Sequence, residues 1–192
     1  MIRKNLVGVA LAVLASAGML TACADAESAS NPSNTTASEH NAADVSFLQQ
    51  MIPHHQQAID MAGLVEGRTT TAVVVDLAGK IEKAQDPEIE QMTAWLKEWG
   101  EDTPAGHSMP NMDHEMPGMM SDEQMAQLEQ ASGAAFDQLW LTLMTAHHQG
   151  AIDMAKAELS DGADGDVKAL AKRIATAQEA EIRQMRDLTA QS

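Results

Sequence analysis

The stretch FLQQMIPHHQQAIDMA, Phe47 to Ala62, returns as WLTLMTAHHQGAIDMA, Trp140 to Ala155, 93 positions later. At the same offset, and without a gap, LAGKIEKAQDPEIEQM (Leu77 to Met92) aligns with LAKRIATAQEAEIRQM (Leu170 to Met185). Over 44–62 and 77–92 together, 20 of 35 positions are identical. Chance would give roughly two or three, so the folded part is a duplication.

Each copy reads as two helices. At 3.6 residues per turn, Phe47, Met51, His54, Ala58 and Met61 share one face, with Leu48, His55 and Ile59 along its edge. Leu77, Ile81, Gln85, Glu88, Met92 and Trp95 form the stripe of the second helix. The second copy repeats both patterns, through Trp140, Met144, His147, Ala151 and Met154, then Leu170, Ile174, Gln178, Glu181 and Met185. Breaks are expected at Gly67-Arg68-Thr69 and Ser160-Asp161-Gly162, and proline is expected to bend the helices at Pro53 and Pro87. Ser121 to Gln124 has capping-box spacing and predicts a short extra helix, separated by Gly133 from the helix through His147. Two amphipathic hairpins that bury their stripes against each other make an all-α four-helix bundle. The bundle is expected over 44–190, as repeat one (44–99), a connector (100–121) and repeat two (122–190).

The start of the chain sets its compartment. Arg3 and Lys4 precede an apolar run to Met19, followed by Leu20-Thr21-Ala22-Cys23. This is the layout of a secretory signal, too short for a comfortable membrane span. Its end resembles the bacterial lipobox, which predicts a signal over 1–22, a lipid on Cys23, and a place in the periplasm or on the outer side of the cytoplasmic membrane. Cys23 is the only cysteine, so no intrachain disulfide holds the fold. Residues 23–43 are mostly small and polar and read as a flexible tether. Loss of Arg3 and Lys4 would take the formal charge from −16 to −18. That argues against nucleic acid or anionic lipid as a partner and leaves the lipid on Cys23 as the membrane contact.

The chemistry gathers at the histidines. His54-His55 and His147-His148 stand at equivalent places, each flanked by Met51 and Met61 or by Met144 and Met154. Neighbours on a helix are about 100° apart, so one ring of each pair can face the bundle axis and the other an adjacent helix. Buried imidazoles need partners for their ring nitrogens. Glu88 and Glu181 lie on otherwise apolar stripes, and Asp44 and Asp137 open the histidine stripes. Two readings satisfy these groups: a hydrogen-bonded polar core that sets helix register, or a transition-metal site with carboxylates in support.

The connector, GEDTPAGHSMPNMDHEMPGMMS, carries His107, Met109, Met112, His114, Met116, Met119 and Met120. Pro104, Pro110, Pro117 and Gly118 interrupt it, so core packing of one helix does not account for all its methionines. Thioether with imidazole favours copper, Cu(I) especially; the alternative is a loop whose methionines cover an apolar patch. No phosphate loop, G-x-S-x-G, H-E-x-x-H or C-x-x-C is present. Glu88 and Glu181 lack the histidine three residues on that marks di-iron carboxylate bundles. Nothing in the motifs marks an enzyme, although a metal-dependent oxidase and a non-catalytic scaffold stay open beside metal binding.

HHQQAIDMA and HHQGAIDMA, with the preceding Phe-Leu-Gln-Gln-Met and Trp-Leu-Thr-Leu-Met, and MPGMMSDEQMAQLEQASGAAFD (Met116 to Asp137) resemble the bacterial family known as domain of unknown function 305. The resemblance runs from about Asp44 to Leu188. It implies a ferritin-like bundle in the cell envelope, and copper binding as in some members. The motif positions it carries over are Asp44, Met51, His54, His55 and Met61, then Asp137, Met144, His147, His148 and Met154, with Met116 and Met119 of the Met-Pro-Gly-Met element. Pro53 stands where the second copy has Ala146, so the two halves are expected to be inequivalent.

Overall fold

The computed structural model describes residues 39–104 and 116–191. The chain divides into two units, 1–35 and 36–192, and every described residue belongs to the second. Cys23 and the connector residues His107, Met109, Met112 and His114 lie outside the described residues.

The described residues form five helices and no strand: α1 (Ala42–Gly63), α2 (Ala72–Trp99), α3 (Asp122–Gln130), α4 (Gly133–Asp161) and α5 (Gly165–Thr189). Local chemistry explains the ends. The Asn41 side chain accepts from the N–H groups of Ala43 and Asp44, and the Asp44 carboxylate accepts from the Asn41 N–H, so α1 begins two residues inside the expected tether. Ser121 and Gln124 form the expected capping box of α3. Gly100, with φ of 74°, closes α2 as Glu101 N–H reaches the Leu96 carbonyl. Pro53 and Pro87 both lie inside helices that continue past them.

Helices α1 and α2 pack as one hairpin and α4 and α5 as the other. The hairpins meet along α1 and α4, which run antiparallel: Trp140 Nε1 donates to the Met61 carbonyl, 2.8 Å, and Asn41 Nδ2 donates to the Asp161 carbonyl, 2.9 Å. The stripe of α2 buries Leu77, Ile81, Gln85, Met92 and Leu96. Leu96, four residues after Met92, takes the place expected of Trp95, which is only half-buried.

Both poles are polar joints in which one hairpin holds the turn of the other. At one pole Asp44 accepts from the backbone N–H groups of Ala163 and Asp164, at about 3.0 Å each. At the other, its counterpart Asp137 accepts from the Thr71 hydroxyl, 2.6 Å. Asp44 and Asp137 each precede the histidine pair of their own helix by ten residues, roughly 15 Å along the axis. Neither expected carboxylate is therefore beside the imidazoles. Burial acts to raise the Asp44 pKa, but hydrogen bonds from Asn41, Ala163 and Asp164 outweigh it and hold the carboxyl below its usual value.

Candidate metal centre

All four histidines are fully buried, with no solvent exposure. The 100° step between neighbours sorts them. His54 of α1 and His147 of α4 face each other on the bundle axis, with ring centroids 3.8 Å apart and planes inclined by 40°. His55 turns to α2, where its Nε2 lies 2.8 Å from the Glu88 carboxylate. His148 turns to α5 and meets Glu181 in the same way at 2.7 Å. Glu88 and Glu181 stay half-buried, so each keeps contact with water while its Oε2 serves the ring.

Burial, helped by the neighbouring imidazoles, pushes His54 down to about 3 and His147 well below its ordinary value. Both are neutral at physiological pH, the form in which imidazole binds metal. The Nε2 of His54 lies 3.1 Å from the Pro117 carbonyl. A carbonyl only accepts, so Nε2 carries the hydrogen and the lone pair is on Nδ1. The carboxylates opposite His55 and His148 likewise take an Nε2–H.

What remains unsatisfied is informative. Five buried ring nitrogens have no hydrogen-bond partner: Nδ1 of His54, His55 and His148, and both nitrogens of His147. An unmet buried polar atom costs roughly 1–3 kcal/mol, so five rival the roughly 5–15 kcal/mol by which a whole domain is stable. Buried oxygens of Gln85, Asp137, Glu158 and Gln178 are unpartnered as well, so unmet polar atoms are not peculiar to the histidines. What sets His54, His55 and His148 apart is an Nε2 engaged by a carbonyl or carboxylate with Nδ1 unengaged, an arrangement common in ligating histidines. No group of three or more His, Cys, Asp or Glu among the described residues is yet drawn together in ligating geometry. The axial rings lie against each other with their planes tilted.

The methionines divide by role. Met61 and Met144 belong to the apolar cluster around Trp140 and Phe136, and Met51 and Met154 to the one around Phe47 and Leu48. In the connector, Met116 and Met120 are buried and Met119 is half-buried. The turn they flank is docked tightly. Gln57 Nε2 donates to the Met120 carbonyl, 2.9 Å, and Gln57 Oε1 accepts from the Met120 N–H, 2.7 Å. Gly118, with φ of 79°, sits against the carbonyls of Ala146 and His147, and a Cβ on Gly150 would lie 1.8 Å from the Pro117 oxygen.

The sequence pattern turns Gln57 away from the histidine stripe, takes Pro117 only as a break in the connector, and gives Gly150 no role. A signal was there: Gln57 and Gly150 occupy equivalent positions and are the single difference between HHQQAIDMA and HHQGAIDMA. Glu158 was passed over too. It is buried beside Asp44 where the first copy has Val65, and burial, then Asp44, raises its pKa to about 8.

Two duplicated hairpins closed around four buried imidazoles define a helical-bundle protein with a histidine core. The chain belongs to the DUF305 family, a domain of unknown function, whose model matches residues 44–189. Among solved structures it is similar to a DUF305 protein from Streptomyces coelicolor, at 37% identity over 78% of this chain and 93% of that one, with a TM-score of 0.71. A DUF305 fragment from Deinococcus radiodurans is similar at 32% identity, over 79% and 98% of the two chains, with a TM-score of 0.72. CopM in its Cu(II)-bound form is similar at 31% identity over 77% and 96%, with a TM-score of 0.67; it has also been solved with Cu(I) and with silver. No curated protein matches the sequence. No helix among the described residues is long and apolar enough to cross a membrane.

Proposed function

We propose that the protein is an exported envelope lipoprotein, anchored through Cys23, that binds copper for sequestration, tolerance or transfer. The observation that carries this reading is the set of four buried imidazoles with unpartnered nitrogens, of which His54 and His147, facing each other between the two hairpins, are held neutral by burial. CopM, at 31% identity, binds both copper oxidation states and silver, which supports a soft metal as the ligand. His54, His55, His147 and His148 are the proposed ligands, Glu88 and Glu181 orient His55 and His148, and copper supplies the electrophile that satisfies the free nitrogens. Met51 and Met144, three residues before the axial histidines, are the proposed thioether neighbours. His107, Met109, Met112, His114, Met116, Met119 and Met120 are proposed as a second, Cu(I)-selective binder.

Titration of the mature protein with Cu(I) and with Cu(II), read with melting temperature, tests the proposal. Binding is expected to raise the melting temperature, and replacement of all four histidines by Ala is expected to remove the interior site. Unchanged binding in that variant rejects the histidine ligands. Loss of Cu(I) binding only on deletion of 106–115, which spares the docked Met116–Met120 turn, assigns the site to the connector instead. Metal that alters neither spectrum nor melting temperature leaves a purely structural polar core.

A further inference from the structure

The Met-Pro-Gly-Met element, which the repeat does not contain, lies across the interface of the two hairpins. We propose that the Met116–Met120 turn is part of the histidine interior: the Pro117 carbonyl positions His54 for coordination through Nδ1, and Gln57 and Gly150 hold the turn there. This rests on the metal-binding reading of the same site.

Three observations carry it. The acceptors around the quartet are chemically alike in effect: Pro117 oxygen on His54, Glu88 on His55 and Glu181 on His148 all engage Nε2 and leave Nδ1 free. A ligating histidine commonly gives its second N–H to a carboxylate or a backbone carbonyl in this way. Second, the carbonyl's place is fixed from both hairpins. Gln57 of α1 grips both backbone polar groups of Met120, while on α4 the absent side chain of Gly150 admits Pro117, since a Cβ would lie 1.8 Å from its oxygen. Third, the duplication has diverged at this one place within the HHQ-AIDMA motif: glutamine for grip in one copy, glycine for clearance in the other.

Symmetry then assigns the fourth ring. His54 and His147 are equivalent in the repeat, but the chain has one connector and presents one Pro117 carbonyl. His147 is accordingly the ring with neither nitrogen bonded. His54 is the axial ring held by a backbone acceptor, and His147 is the axial ring that no such carbonyl positions.

The test reads tautomers in the metal-free protein by two-bond 1H–15N correlation of the imidazoles, alongside Cu(I) titration. His54, His55 and His148 are each expected as a single Nε2–H form. Gln57→Ala, at a half-buried position, is expected to release His54 into a mixture of forms, leave His55 and His148 unchanged, and weaken Cu(I) binding by about tenfold or more. Gly150→Ala displaces the same turn by a separate route and is expected to give the same His54 signature. The proposal is overturned if His54 keeps one form in both variants, or if all the rings change together as in general loosening. A His54 tautomer response with Cu(I) binding unchanged would sink the positioning role alone. A His54 response in a parent protein that binds no copper would instead sink the metal reading on which it rests.

Discussion

Replacing Gly150 by Ala should destabilise the protein even though alanine is the better helix former. In an open helical position the exchange gains up to about 1 kcal/mol. Here the new Cβ would stand 1.8 Å from the Pro117 oxygen, where ordinary contact begins at 3.4 Å, so the turn must retreat by about 1.6 Å. The retreat breaks the 3.1 Å contact from His54 and strains both Gln57 bonds to Met120. At roughly 0.5–1.5 kcal/mol for each neutral bond, the loss exceeds the helix gain, and a net destabilisation of about 1–3 kcal/mol results. For a domain of this size that lowers the melting temperature by roughly 3–10 °C. Calorimetry of the metal-free protein measures it, with Gly79→Ala as the control. Gly79 is helical and exposed with nothing within 4 Å of its virtual Cβ, so that variant should melt higher. A Gly150→Ala protein that melts at or above the parent would refute the docking argument.

Stability should pass through a maximum at about pH 6.5. His54 and His147 both titrate lower in the fold than their ordinary 6.5, so stability present above that value is lost as pH falls, for His54 down to about 3, at up to about 1.4 kcal/mol per pH unit for each ring while its shift lasts. Glu158 runs the other way: raised from 4.5 to about 8, its contribution is complete below 4.5 and is lost as pH rises through 8. Glu158→Gln should flatten the profile between pH 6.5 and 8; denaturant melts showing the parent gaining stability across that range would contradict this. Asp44→Ala should cost roughly 2–4 kcal/mol, because it removes the carboxylate half of the capping box, which accepts from the Asn41 N–H, and leaves the N–H groups of Ala163 and Asp164 without an acceptor. Asp137→Ala, which frees one hydroxyl, should cost about 1 kcal/mol, and neither change should alter copper stoichiometry; a lost equivalent of metal would return these carboxylates to the ligand set. Glu88→Gln with Glu181→Gln should preserve the fold and weaken copper binding by about tenfold, and calorimetric titration showing full affinity would remove their orienting role.

Much of the architecture was legible because it depends on short-range periodicity. A 3.6-residue stripe fixes which side of α1 or α4 is buried, and a 100° step separates the two rings of each pair, one toward the bundle axis and one toward an adjacent helix; the pairing of His55 with Glu88 depends on α2 and came from the structure. The capping box at Ser121 is equally local. What escaped depends on registers between segments far apart in the chain. Asp44 and Asp137 lie on the histidine face by periodicity, but their partners are turns of the opposite hairpin, Asp44 reaching residues 119 and 120 positions away. Trp95 and Leu96 differ by one helical step, and only the crossing of α2 over α1 decides which is covered. The role of the connector turn was hidden for a further reason: its anchor is a missing side chain at Gly150, and periodicity counts only side chains that exist.

The crossed fastening at the poles has a bearing on how the molecule comes apart. Each hairpin ends in a turn whose security depends on a carboxylate belonging to the other, much as two copies in a symmetric dimer complete one another. A protease cut between the repeats should thus leave a noncovalent pair that still melts in one step, whereas either hairpin made alone should lack a stable fold.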